Sequence, residues 1–210
     1  MMDTTMNGNE FSAPLGAEPG ATLQFLDGVS HVRIRSDRDM AELFRARFEG
    51  KVPLVEASDA NVTVSYRRGP GGRGGWRHAR GEVVLNAMVP WSIKVRGGVS
   101  NLEADLTGIS LAALEIGGGV SGLDASLPSP AGEVGVRIGG GVSHLKLHRP
   151  IDAAASVHVG GGASQIRFDD LRMGAVGGGI DWRTPGYDDA DDRYDIRIGG
   201  GVSDASFDAR

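Results

Sequence analysis

The most regular feature of the chain is a short pattern of apolar and polar residues that recurs along most of its length. Two apolar residues separated by one position precede a glycine-rich stretch, as in Leu114 and Ile116. A valine–serine pair follows, and apolar residues then recur at alternate positions, as in Leu123 and Ala125. Alternation with a period of two residues is typical of a β-strand with one buried face. Each repeat therefore predicts two strands separated by a corner.

The copies of this pattern are nearly evenly spaced. The valine, or the residue that replaces it, occupies positions 99, 120, 142, 163, 180 and 202, which are 21, 22, 21, 17 and 22 residues apart. An earlier copy surrounds Val29. At about 3.3 Å per residue, one unit has a contour of about 70 Å, which suffices for two or three short strands. We expect each unit to form one coil of a solenoid, with a continuous core between stacked coils.

Glycine and serine mark the corner of each unit. Glycine reaches positive φ without penalty and lets stacked backbones approach closely, so a repeated glycine corner favours a solenoid bend. The serine lies an even number of positions before the apolar residues that follow, so on a regular strand it is expected to point inward with them. There it would either form a hydrogen-bonded ladder or simply be a small residue that the corner tolerates. The predicted corner residues are Gly98, Gly119, Gly141, Gly162, Gly179, Gly201, Ser100, Ser121, Ser143, Ser164 and Ser203.

The amino-terminal part is less regular than the rest. Residues 1–20 are polar and are expected to form a disordered tail before one domain over residues 21–208, whose regular coils occupy 93–208. Ser36 and Asp39 form a capping pattern ahead of apolar residues at helical spacing, which predicts a short helix over about residues 38–48. The expected fold is all-β, a single-stranded right-handed β-solenoid of about 21-residue coils with this one helix.

Composition excludes several function classes. The 210 residues include 34 glycines and no cysteine, and the formal net charge is −5. Without cysteine there is no disulfide, no thiolate catalysis and no cysteine-ligated metal, and the net charge gives no general attraction to nucleic acid or anionic membrane. The chain contains neither a basic leader nor an apolar run long enough to span a bilayer. We therefore expect a soluble cytoplasmic protein.

The patterns that most resemble chemical sites have structural explanations. On a strand, His144 and His148 would lie about 13 Å apart, too far to share a metal. No glycine triplet is followed by the lysine and hydroxyl of a phosphate-binding loop. The acidic run 188–192 lacks the glycine-centred calcium loop. Charges of opposite sign occupy equivalent outward positions, as Asp124 and Lys146 do, which favours cross-strand pairing. No catalytic, cofactor or metal residue is predicted.

One basic loop is a candidate interaction surface. Arginine beside an aromatic residue is suited to gripping phosphate or stacking on a base. The many glycines of the same stretch favour a flexible, solvated hairpin loop instead, and the sequence leaves both interpretations open. The candidate residues are Arg67, Arg68, Arg73, Trp76, Arg77 and Arg80.

The repeats resemble the toast-rack β-solenoids. The resemblance is carried by the Ile/Leu-x-Ile-Gly-Gly-Gly-Val-Ser-x-Leu unit, by the linker from Leu127 to Gly132 and by the closing run from Trp182 to Ile196, and it covers roughly residues 21–208. That family includes bacterial candidate adhesins and the carboxy-terminal domain of LiaF-type envelope-stress regulators. The resemblance implies a non-enzymatic domain, often attached to membrane helices, and supplies no catalytic residue.

Taken together, these features predict a non-enzymatic interaction or scaffold module, with a link to envelope-stress regulation as the implied context. The expected partner is a protein, or a second copy bound through a face or end of the solenoid, because the final coil ending at Phe207 has little after it to act as a cap. No nucleic acid, cofactor or membrane span is expected. The alternative is a module that binds an anionic envelope component or nucleic acid through the loop 67–80.

Overall fold

The structure, a computed structural model, describes residues 5–66 and 80–210, with side chains described from residue 8 onward. Helical structure in these ranges is limited to a short 3-10 turn, Tyr187–Asp189. The strands are β1 (Thr5–Asn7), β2 (Glu10–Pro14), β3 (Ala21–Phe25), β4 (Val29–Asp37), β5 (Glu42–Glu49), β6 (Leu54–Ser58), β7 (Asn61–Ser65), β8 (Arg80–Asn86), β9 (Pro90–Val95), β10 (Val99–Asp105), β11 (Ser110–Ile116), β12 (Val120–Ser126), β13 (Glu133–Ile138), β14 (Val142–Arg149), β15 (Ala154–Val159), β16 (Ala163–Phe168), β17 (Leu171–Val176), β18 (Ile180–Arg183), β19 (Arg193–Ile198) and β20 (Val202–Ala209).

These strands form two mixed sheets around one apolar core. The first sheet has the order β1-β2-β5-β8-β4-β10-β12-β14-β20-β16-β17, and the second has the order β18-β15-β19-β13-β11-β9-β3-β7-β6. Each repeat sends one strand to each sheet, and equivalent positions pair in parallel, as Leu102 does with Leu123. The inward residues of both sheets, including Trp91 and Tyr194, are buried together. The all-β class predicted from the alternating pattern is confirmed.

The path of the chain differs from the single clear solenoid that we predicted. After β15 and β16, the chain turns back through β17 and β18, which pair antiparallel with those two strands. It then inserts β19 and β20 between the units β13–β14 and β15–β16. The short step of 17 residues to Ile180 corresponds to this reversal. As a result, β20 has neighbours on both sides, and the prediction that the coil ending at Phe207 forms an exposed end is wrong.

The helix predicted over residues 38–48 is also absent. This segment instead contains the end of a turn and most of β5, which pairs antiparallel with β2 and β8. Phe44 and Phe48 are buried while Arg45 and Arg47 are exposed, so the segment follows a period of two. The spacing of its apolar residues fits both the helical period of about 3.6 residues and the strand period of two. Pairing with two neighbouring strands favours the strand.

The segment expected to be a disordered tail contributes two strands in its described part. The strand β2 pairs with β5, and its alternating side chains Phe11 and Ala13 are buried against the core. The ring of Phe11 meets that of Phe48 edge to face, with the centroids 6.1 Å apart. Two buried apolar residues at alternate positions are a weak signal in a polar segment, which is why composition alone suggested disorder.

The glycine corners stack directly upon one another in the spatial order of the units. A Cβ atom placed on Gly118 would lie 2.7 Å from the backbone nitrogen of Gly98, and one on Gly140 would lie 2.7 Å from that of Gly119. Backbone hydrogen bonds cross the same contact, including the one from Val120 N–H to the carbonyl of Gly141 at 2.9 Å. Side chains are excluded here because neighbouring backbones already occupy their space.

The corner serines do not all point inward, contrary to the parity argument. Ser30 is buried, whereas Ser121 and Ser203 are exposed and the other serines are half-buried. The residue after each serine lies outside the strand register, and it adopts a positive φ that turns the next residue back to the core. The valine and the following leucine therefore both face inward. These bulge residues are His31 (φ 50°), Asn101 (φ 56°), Gly122 (φ 85°), His144 (φ 54°), Gln165 (φ 54°) and Asp204 (φ 53°).

Candidate interaction surface

The outer face of the first sheet carries a broad surface groove. It has a volume of about 950 Å³ and crosses the six neighbouring strands β10, β12, β14, β20, β16 and β17. A bulge bends its strand and increases the local twist. Because the bulges occur at the same place in successive units, we attribute the groove to their column. Among its lining residues are the bulge residues Asn101, Gly122, His144, Asp204 and Gln165.

A second row of side chains in the groove belongs to a ladder, largely of charged residues, that crosses ten of the eleven strands of the first sheet, from β2 to β17. Each member is the register partner of the next, so the side chains point to the same face. The ladder, which we call the outer row, consists of Glu10, Arg47, Glu82, Arg33, Glu103, Asp124, Lys146, Ser206, Arg167 and Arg172.

Opposite charges pair along the first part of the outer row. Arg33 Nη2 lies 2.6 Å from Glu103 Oε2, and this hydrogen bond raises the pKa of Arg33 above its ordinary value. Lys146 Nζ lies 3.6 Å from Asp124 Oδ2, which confirms the predicted pairing of these two residues. These side chains are largely exposed, so solvent screens the charges and each pair contributes little to stability. Their main consequence is a surface of nearly balanced charge.

The balance ends at the β17 side of the groove. Beyond Asp124, the outer row contains Lys146, Ser206, Arg167 and Arg172 but no carboxylate. Arg167 donates to Asp208 at 3.1 Å. Arg172 is exposed, and no ion pair to it occurs among the residues with described side chains. This end of the groove is therefore cationic.

A buried histidine lies beside the middle of the outer row, two positions after Lys146 on β14. His148 is 4% exposed, and its Nδ1 is hydrogen-bonded to Asp208. Its Nε2 lies 3.2 Å from Oδ1 of Asp124, although the geometry is not that of a hydrogen bond. His148 thus lies between two carboxylates that also contact Lys146 and Arg167. His144, the other histidine considered with it in the sequence analysis, is exposed in the groove.

The second sheet has a separate buried charge on its outer face. Burial alone would raise the pKa of Asp195, but hydrogen bonds and charge from Arg137 and Arg197 outweigh it and lower that pKa. Arg137 Nη2 lies 2.7 Å from Oδ2 of Asp195. Burial also raises the pKa of two tyrosines: that of Tyr66 to about 12, with a contribution from the charge of Asp27, and that of Tyr194 beyond its ordinary range. Asp195 and Tyr194 link neighbouring segments of the fold through their hydrogen bonds to Arg137 and to the carbonyl of Pro128.

The predicted basic loop can be placed only at its end. Arg67, Arg68, Arg73, Trp76 and Arg77 lie outside the described residues, so their role stays a prediction. Arg80 begins β8 and is exposed at the outer face of the first sheet, in a smaller depression with Arg47 and Glu49.

The acidic run 188–192 forms contacts within its own end of the fold. Arg183 Nη1 donates to Asp188 at 2.9 Å, and Asp192 accepts the backbone N–H of Gly132 at 2.6 Å. Across the described ranges, no three histidine, aspartate or glutamate side chains gather where a metal ion would need them. The described chain also has no helix with the length and apolarity required to cross a membrane.

Sequence reasoning missed the groove, although its signal was present. The residue between the serine and the leucine of each repeat varies widely in type, so residue type alone does not mark this position. The useful signal was the spacing: the valine and leucine are three positions apart, an odd number that cannot place both on one face of a regular strand. A positive-φ residue resolves this conflict.

The comparisons with known proteins concern the fold. A family model described as the N-terminal domain of toast_rack, DUF2154, matches residues 28–148. A crystal structure of a proposed cell adhesion protein from Clostridium sporogenes ATCC 15579 is similar over 100% of both chains, with a TM-score of 0.70 and 17% identity. A proposed adhesin from Bacteroides fragilis NCTC 9343 aligns over 96% of this chain and 98% of its own, but its TM-score of 0.35 and identity of 8% carry no argument. No curated protein matches the chain.

Proposed function

This chain belongs to the toast-rack family, and on that premise we propose that it is a non-enzymatic module that binds a protein partner across the outer face of its first sheet. The observation that carries the proposal is the groove of about 950 Å³ lined by the bulge residues and the outer row. The name of the Clostridium neighbour, a proposed cell adhesion protein, supports an interaction role.

The dimensions of the groove suit an extended polypeptide segment. Six strands at a spacing of about 4.8 Å span about 24 Å, the length of about seven extended residues. Its lining offers donors and acceptors at regular intervals, such as Asn101, Gln165 and Ser206. An extended segment carries polar backbone and side-chain groups along its whole length, so several hydrogen bonds can form at once.

A matched pair of tyrosine substitutions tests the proposal. Ser206→Tyr places a bulky ring in the groove, while Ser92→Tyr places the same ring on the outer face of the second sheet. Tyrosine is well tolerated in strands, so we expect both variants to fold. Each protein is immobilised and exposed to an extract of the native host, and the retained proteins are identified by mass spectrometry.

The expected result is a set of proteins retained by the wild type and by Ser92→Tyr but lost with Ser206→Tyr. Equal retention by all three proteins would show that the groove is not the binding surface. The link to envelope-stress regulation is a further part of this proposal, and only the family resemblance supports it. The cytoplasmic location stays a prediction from the amino-acid sequence. Fractionation of host cells and measurement of an envelope-stress reporter in a deletion strain test these two points.

A further inference from the structure

We propose that β17 is a docking edge for an extended partner strand that places an acidic side chain beside Arg172 and apolar side chains before and after it. This inference rests on the proposed function and names the chemistry of the partner. It combines two separate features of β17: an unpaired strand edge and an uncompensated cation.

The first feature is the open backbone of β17. Among the residues that the structure describes, this strand is the last in the first sheet and pairs only with β16. A two-residue turn, Asp169 and Asp170, connects the strands, so the closing pair Phe168 and Leu171 exchanges hydrogen bonds and the next pair does not. The N–H and C=O groups of Arg172 therefore point away from β16. A strand added at this edge could form backbone hydrogen bonds with both groups.

The side chains of this edge provide little of the usual protection. Natural edge strands are commonly blocked by proline, by lysine or by charges that point inward. The edge β17 has none of these, and its single charge, on Arg172, lies on the outer face. On the inner face, Leu171 is 50% exposed and Met173 is half-buried at the end of the core. Apolar side chains of a docked strand would cover both.

The second feature is the end of the outer row. Arg167 and Arg172 are direct partners in an antiparallel pair, an arrangement that destabilises a sheet when the charges are alike. The two other arginines of the row each face carboxylates on both neighbouring strands: Arg33 faces Glu82 and Glu103, and Arg47 faces Glu10 and Glu82. A carboxylate on the next strand would give Arg172 the oppositely charged neighbour that Arg33 and Arg47 have. The row thus specifies an acidic residue on whatever strand pairs with β17.

These two features define a peptide pattern. In a strand, neighbouring side chains point to opposite faces. A partner residue on the outer face beside Arg172 is therefore flanked by two residues on the inner face, close to Leu171 and Met173. The required pattern is apolar, acidic, apolar. This is β-strand addition, in which main-chain bonds give affinity and alternate side chains give specificity.

The test uses two synthetic peptides of about nine residues, each an alternation of valine and threonine. One carries a central glutamate at a threonine position, and the other carries lysine there. Binding to the full chain is measured by fluorescence anisotropy. We expect the glutamate peptide to bind about tenfold more tightly, the change expected when an exposed attractive pair replaces a repulsive one.

Charge reversal at Arg172 provides the decisive comparison. Arg172→Glu should invert the preference between the peptides, whereas Arg38→Glu, at an exposed position in the turn after β4, should leave it unchanged. Amide hydrogen exchange supplies a second readout, because the Arg172 N–H should exchange quickly in the free protein and become protected by the glutamate peptide. If Arg172→Glu fails to fold, Arg172→Gln should still abolish the preference.

Three results would overturn the inference. These are equal binding of both peptides, an unchanged preference in Arg172→Glu, and protection of β17 in the absence of peptide through pairing with a second copy, which sedimentation would reveal. None of them affects the groove experiment. If Ser206→Tyr loses the retained proteins while neither peptide binds at β17, the proposed function stands and the inference about the partner's strand is wrong.

Discussion

Replacing Gly139 with alanine tests whether close stacking of the corners holds the two sheets together. A Cβ atom at this position would lie 2.5 Å from the carbonyl oxygen of Gly117 in the neighbouring unit, where ordinary contact begins at 3.4 Å. The two atoms would have to separate by about 0.9 Å, the difference between those distances. The obstacle is backbone, so it cannot rotate away. The hydrogen bond from Gly139 N–H to the carbonyl of Ile116, now 2.8 Å, would weaken.

The expected loss of stability follows from these contacts. Overpacking a tight site costs about 1–3 kcal/mol, and weakening one backbone hydrogen bond costs about 1 kcal/mol more. We therefore expect Gly139→Ala to lower the free energy of unfolding by about 2–4 kcal/mol. For a chain of this size, each kcal/mol corresponds to about 2–4 °C in Tm. Urea unfolding followed by circular dichroism measures the first quantity, and calorimetry measures the second.

The chain provides its own control for this substitution. Gly177 occupies the same place in its triplet, but it lies where the stack ends, and a Cβ atom there would meet nothing within 4 Å. Gly177→Ala should change stability by less than about 1 kcal/mol, with a small gain because alanine restricts the unfolded chain. If both variants lose the same stability, or if Gly139→Ala unfolds like the wild type, the stacking argument is wrong.

Three other substitutions test separate parts of the structure. Asp195→Asn weakens the charge-assisted hydrogen bond with Arg137 and should lower the free energy of unfolding by about 1–3 kcal/mol at neutral pH. Because folding lowers the pKa of Asp195, this advantage of the wild type should disappear as the pH falls below about 4. A difference that does not depend on pH would contradict this explanation. Tyr194→Phe leaves the carbonyl of Pro128 without its 2.6 Å hydrogen bond and should cost about 1–3 kcal/mol in urea unfolding. Phe11→Ala should lower the free energy of unfolding by about 3–5 kcal/mol, because Phe11 is buried in the core. An unchanged urea midpoint would instead support the prediction of a disordered amino-terminal tail.

Much of the local structure was predictable from the sequence because each unit repeats the same alternation. The strands around Leu114 and Leu123 and the corner between them were evident without any long-range information. The groove was not evident, since it depends on the bulge after each serine. That bulge reverses the orientation of the serine, so a simple extension of the strand period placed Ser121 and Ser203 on the wrong face.

The region 38–48 shows a different limit. Its apolar residues fit a helix and a strand equally well, and the capping pattern at Ser36 and Asp39 favoured the helix. The strand won because β2 and β8 pair with β5 on both sides, which satisfies its backbone and buries Phe44 and Phe48. Neither neighbour is close enough in sequence for a local pattern to reveal it.

The all-β class, the two-strand repeat and its glycine corners follow from the amino-acid sequence, because these depend on the period of two and on the space that a missing side chain leaves. The order in which the units stack, the insertion of β19 and β20 between earlier units, and the open edge at β17 emerge from the folded structure. Alternation specifies which face of a strand is buried but not which strand lies beside it. Every unit offers nearly the same edge to its neighbours, so the choice among them is made by the folded chain as a whole.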